Sequence, residues 1–98
     1  MRVELRAEAR NDVYDAAAFY EAQREGFGDE FIESIFADLA DLERQAGLHR
    51  IIGGCHRKLA TRFPYGIYYL VTIAAVDVVA ILDCRGNPRT RDERLRNA

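Results

Sequence analysis

Two apolar runs separated by a pair of alanines constrain this chain more than any other feature. The first, Tyr65-Gly66-Ile67-Tyr68-Tyr69-Leu70-Val71-Thr72-Ile73, follows Arg62-Phe63-Pro64. The second, Val76 to Leu82, leads into Asp83-Cys84-Arg85-Gly86-Asn87-Pro88. Aromatic and β-branched residues dominate the first and Val and Ile the second, a composition that suits strands. Pro64 offers no N–H to a ladder, so it belongs at a strand entry. Pairing through the link at Ala74-Ala75 makes a hairpin and brings Arg62 and Arg85 to the same end of the sheet.

The N-terminal half reads differently. Val3 and Leu5 alternate with Arg2, Glu4 and Arg6, which predicts a short strand over 2–6. From Ala7 the period lengthens: Ala9, Val13, Ala16, Ala17 and Tyr20 recur at helical spacing, and Gly26-Phe27-Gly28 sets a stop near Arg24. A second helix is predicted from Asp29, whose carboxylate and that of Glu30 suit a helix start. Its stripe is Phe31, Ile35, Leu39 and Leu42, widened by Ile32 and Phe36, and Gly47 is its stop. A link of four or five residues forces the two helices into an antiparallel hairpin, and their apolar faces call for a sheet as cover.

Residues 47–54 read as a loop and Cys55 to Thr61 as a strand, with His56, Lys58 and Arg62 on one face and Arg57, Leu59 and Thr61 on the other. Together with 65–73 and 76–84 this makes a three-strand meander, joined by the strand at 2–6. After Pro88, Thr90 to Glu93 has the pattern of a capping box, so 89–98 is a short helix anchored by Leu95 or a frayed tail. The predicted fold is a single α+β domain over 1–98, a helical hairpin packed on an antiparallel sheet.

Charge is unevenly divided. Residues 1–49 carry five Arg against twelve acids (−7), and residues 50–98 carry nine Lys and Arg against four (+5). The basic half suits an anionic partner, either nucleic acid or an acidic protein segment. No apolar run is long enough to cross a bilayer and the N-terminus lacks a signal-peptide core, which points to the cytoplasm and away from a membrane. Cys55 and Cys84 match no zinc spacing, so no metal and no cofactor is expected, and both thiols read as reduced. No Gly-flanked Ser elbow and no phosphate loop after a strand is present. Phosphodiester cleavage would need a base, an acid and cations around the phosphate; His56, Arg57, Lys58, Arg62 and Arg85 are the residues that could supply them.

Three stretches carry a resemblance to a known family. Ala16-Ala17-Ala18-Phe19-Tyr20-Glu21, Gly26-Phe27-Gly28-Asp29-Glu30-Phe31, and Arg62 to Tyr69 with Ile81 to Pro88 stand in the order found in toxins of the ParE/RelE superfamily, from bacterial type II toxin–antitoxin pairs. RelE-like members are ribosome-dependent mRNA endoribonucleases with a tyrosine or histidine close to the C-terminus. Here the last tyrosine is Tyr69, the last histidine is His56, and Asp83 stands where many relatives carry a histidine. The chain is more similar to ParE-type members, which lack that catalytic set and are known for poisoning DNA gyrase.

The resemblance implies a toxin that arrests growth by binding an essential target such as DNA gyrase, with His56, Arg57, Lys58, Arg62 and Arg85 as target contacts. It also implies an antitoxin that wraps the toxin, with Phe31, Ile35, Leu39, Tyr65 and Tyr68 as its contacts. Nucleic acid enters only for a RelE-like nuclease, or as operator DNA through the antitoxin complex.

Overall fold

The computed structural model describes residues 1–98 as an α+β fold with three helices and a five-stranded mixed sheet. The elements are β1 (Val3–Leu5), α1 (Ala7–Gln23), α2 (Phe27–Gln45), β2 (Ile51–Ile52), β3 (Cys55–Leu59), β4 (Tyr65–Val71), β5 (Val76–Asp83) and α3 (Pro88–Leu95). Strand order is β1-β5-β4-β3-β2. All neighbours are antiparallel except β1 and β5, which pair in parallel with Val3 opposite Val76 and Leu5 opposite Val78. No helix is long and apolar enough to cross a membrane.

The helical hairpin is tighter than expected. Only Arg24, Glu25 and Gly26 separate α1 from α2, which begins at Phe27, two residues before Asp29. Glu21 is the reason. Its carboxylate accepts the N–H of Gly26 at 3.0 Å and of Gly28 at 2.9 Å, so a side chain from α1 caps the first turn of α2. Gly28 permits the close crossing, because a Cβ there would lie 2.7 Å from the carbonyl oxygen of Ala17.

Both predicted stripes are interior. Ala9, Val13, Ala16, Ala17 and Tyr20 of α1 meet Phe31, Ile35, Leu39 and Leu42 of α2 over Tyr65, Ile67, Tyr69, Val76, Val78 and Ile81 of the sheet. Phe36 departs from the expectation: it stays 49% exposed at the edge of the helix pair. An aromatic cluster closes one end, with Tyr20 within 5.3 Å (centroid to centroid) of Phe27, Phe31 and Phe63.

The opposite face of the sheet has its own small core of Cys55, Tyr68, Val79 and Ala80 beneath Leu95 of α3. A bulge makes it possible. Tyr68 pairs with Ala80 and Tyr69 with Val78, which leaves Val79 as the extra residue. Val78 and Ile81 therefore face the helix pair, while Val79 and Ala80 both face α3.

The sequence predicts an antiparallel sheet, and the parallel β1 makes it mixed; β1, β4 and β5 are each shorter than predicted, and three further differences have a local cause. The loop 47–54 contains β2, which turns back onto β3 through Gly53 and Gly54, both at positive φ (62° and 88°), the conformation that two-residue hairpins need. β3 ends at Leu59 rather than Thr61, because the Thr61 N–H and hydroxyl both turn to the carboxylate of Asp38 (2.9 and 2.6 Å). α3 is a formed helix, and its cap is Asn87, whose side chain accepts the N–H of Arg89 at 2.8 Å, with Pro88 in the first turn. The Thr90–Glu93 pattern lies inside that helix and caps nothing.

Candidate functional site at the arginine end of the sheet

Tyr65 pairs with Asp83, and the N–H of Cys84 donates to the carbonyl of Pro64 at 2.8 Å. The segments carrying Arg62 and Arg85 therefore emerge together, as the hairpin predicted. Each guanidinium is held by a carboxylate. Arg62 Nη2 donates to Glu30 Oε1 at 2.7 Å, with its guanidinium over the ring of Phe63. Glu30 also takes Arg24 at 3.0 Å, so the α1–α2 link, α2 and the loop before β4 meet at one acid. Arg85 folds onto Asp83 through its backbone N–H, Nε and Nη2 at 2.8 to 3.0 Å.

These pairs fix the local ionisation. The bond from Arg62, then that from Arg24, holds Glu30 below the usual carboxylate range, and Arg85 does the same for Asp83. Burial, with smaller contributions from Tyr20 and Asp83, pushes the Tyr65 phenol up to about 12. Arg62 and Arg85 nevertheless leave 52% and 63% of their side chains in solvent. The end thus presents two accessible guanidinium groups, each oriented by a carboxylate.

The other three predicted target contacts lie elsewhere. Arg57 is on the α3 side of the sheet, its stem packed over Gly66 and its guanidinium without an ion pair. Lys58 is buried: Nζ donates to the carbonyl of Asp38 at 3.0 Å and to Gln45 Oε1 at 2.8 Å, with Asp41 at 3.8 Å. It joins β3 to α2 and presents no charge to a target. His56 shares the Lys58 face, as expected, and its ring stacks on Tyr69 at 5.2 Å with Nδ1 on the carbonyl of His49. Tyr69 is four residues along β4 from Tyr65, about 13 Å at the rise of a strand.

Phe31, Ile35, Leu39, Tyr65 and Tyr68, predicted as contacts for a wrapping partner, are all buried within the chain's own two cores. The sheet covers the helical stripe, which leaves those side chains no free surface. Apolar surface is offered instead by a cleft of about 580 Å³ between β1, α1 and α2, walled by Val3, Leu5, Val13, Tyr14 and Phe36 with Arg10 at its rim. Tyr14 and Phe36 are half exposed there.

Two carboxylates of the helical hairpin hold other elements in place. Asp12 lies where β5 runs past the end of β1 and has no strand partner; there it accepts the N–H of Ile81 at 3.0 Å. Asp38 is buried and satisfied by Thr61. A signal for both exists in the spacing. Asp38 stands three residues after Ile35 and four before Leu42, and Asp12 three after Ala9 and four before Ala16, so each falls at the spacing of its helix's apolar stripe. Comparison of the chain with protein-family models, curated proteins and solved structures gave no match.

Proposed function

We propose that this chain is the toxin of a type II toxin–antitoxin pair, with the specific ParE/RelE arrangement, and that it arrests growth by binding an essential target, DNA gyrase. Arg62 and Arg85 form the contact edge. The observation that favours binding over cleavage is the chemistry around those two arginines. Glu30 and Asp83 are carboxylates held in the ionised form by their arginines, and Tyr65 titrates at about 12. A general acid or base works best with a pKa near the operating pH, and none of these groups has one. His56, whose type could do so, is committed to the other end of β4. On this reading the antitoxin lies over the cleft at Tyr14 and Phe36, whose exposed aromatic walls suit an apolar side of an amphipathic segment.

Induced expression of the chain without an antitoxin, with paired readouts for DNA damage and for mRNA cleavage, tests the proposal. Growth arrest with DNA-damage signalling, and loss of supercoiling by purified gyrase on adding the protein, are the expected results. Arg85→Ala and Arg62→Ala should stay folded and weaken the arrest. Gyrase that neither binds the protein nor loses activity removes this target. New codon-linked 5′ ends in mRNA would establish the RelE-like nuclease instead.

A further inference from the structure

The connection from α2 to β2, residues 46–50, is held on the sheet by a chain of polar groups that the arginine end does not involve. The N–H of Gly47 donates to Tyr69 Oη at 3.1 Å. Tyr69 Oη also lies 2.5 Å from His49 Nδ1, and His56 Nδ1 lies 2.6 Å from the carbonyl oxygen of His49. The direction of each bond follows from the groups. A carbonyl only accepts, so His56 carries its proton on Nδ1. Tyr69 already accepts from Gly47, and its own proton finds an acceptor in His49 Nδ1, so His49 is neutral with its proton on Nε2.

The bond that His56 Nδ1 donates to the His49 carbonyl does not involve the His49 ring. A proton on His49 must go to Nδ1, where it faces the proton of the Tyr69 hydroxyl. We infer that Gly47, His49 and Tyr69 form a proton-sensitive latch that frees the Gly47 N–H and the His49 ring from Tyr69 Oη when His49 is protonated, while the His49 and Arg50 carbonyls stay bonded to β3.

The surroundings make the closed latch resist protonation. Burial acts first, and the electrostatic influence of Lys58, then of His56, on β3 adds to it, so the His49 pKa lies below its ordinary value. From α2, Gln45 is neutral, the Asp38 carboxylate is taken by Thr61, and Asp41 lies 3.8 Å from Lys58 Nζ. From β4 comes the neutral phenol of Tyr69, and from the segment itself Arg50. No carboxylate bonds either imidazole. Opening relieves the depression, so the released form takes up a proton that the closed form does not.

The test is hydrogen exchange of the Gly47 amide, corrected for the intrinsic pH dependence of exchange, with imidazole ¹⁵N shifts read on the same sample. One proton taken up on opening makes the protection factor fall about tenfold per pH unit from about 6.5 down to the His49 pKa of the closed form. Tyr69→Phe should lower the protection of Gly47 and flatten its pH dependence. In the unsubstituted protein, ¹⁵N shifts should place the neutral proton of His49 on Nε2 and that of His56 on Nδ1. A His49 proton on Nδ1 at neutral pH, or Gly47 protection that stays flat across the window, overturns the latch. Both readouts need only the unsubstituted chain, so they decide the matter even if Tyr69→Phe fails to fold.

Discussion

Asp12 and Arg94, 82 positions apart, form a two-pronged pair: Nη1 donates to Oδ1 at 3.0 Å and Nη2 to Oδ2 at 2.9 Å. The same Oδ2 accepts the N–H of Ile81. One carboxylate on the first helix therefore holds both the unpaired edge of β5 and the last helix, with its side chain only 13% exposed.

Asp12→Ala should cost about 1–3 kcal/mol, the usual loss when a buried donor is left without its acceptor. Its effect should be local as well as global. Amide protection should fall in α3 before it falls in α1, since Leu95 is the one buried anchor α3 retains. Urea unfolding with residue-resolved exchange would check this, and uniform loss of protection would argue against a local clamp.

Gly28→Ala places a methyl 2.7 Å from a backbone oxygen of α1, and backbone cannot swing aside as a flexible side chain can. The helices must separate or bend. A loss of about 1–3 kcal/mol is expected, in the range of overpacked cores. A thermal midpoint lower by roughly 4 °C or more would accompany it. Gly47→Ala is not an equivalent control, because Gly47 lies at positive φ.

Glu21 gives the fold an acid-sensitive point. The N–H groups of Gly26 and Gly28 favour its charged form and hold its pKa below the ordinary value of 4.5. The native state therefore binds fewer protons than the unfolded chain in that interval, and stability falls as pH drops from about 4.5 through the native pKa. Glu21→Gln should flatten that part of the stability profile. Chemical denaturation at a series of pH values, wild type against variant, reads the difference directly.

Lys58→Met keeps the length of the buried stem and removes the ammonium. The Gln45 amide and the carbonyl of Asp38 then lose a donor, at about 1–3 kcal/mol. If the chain is the toxin proposed above, the substitution should leave its growth arrest unchanged at a temperature where the variant is folded, because Lys58 Nζ faces α2. A folded Lys58→Met protein that no longer arrests growth would return this residue to the target surface.

Periodicity made the cores legible. Val13 and Tyr20, and Phe31, Ile35 and Leu39, were placed by spacing alone, because a helix needs one apolar face and these residues supply it. What spacing leaves open is the partner of a polar side chain. Lys58 alternates correctly, yet nothing in the sequence says that Asp38 and Gln45 wait opposite it. The bulge at Val79 is likewise silent, since Val78 to Leu82 is apolar throughout and no alternation exists there to be broken. Arg62 and Arg85 were brought together by strand pairing, but their division of labour with Glu30 and Asp83 came from tertiary contacts. His49 stood in a predicted loop and Tyr69 in a predicted strand, and only the fold joins them.

The parallel pairing of β1 with β5 also governs when the domain can form. Val3 must wait for Val76, a separation of 73 residues, and at roughly 5–20 residues per second that is a delay of several seconds during synthesis. Until then the helical hairpin lacks the β5 part of its cover. Loops of this length slow folding relative to local contacts. A nascent chain that stalls before Val76 would lack Val76, Val78 and Ile81 beneath its two finished helices, and a chain with that much apolar surface uncovered is a substrate for chaperones and proteases rather than a working protein.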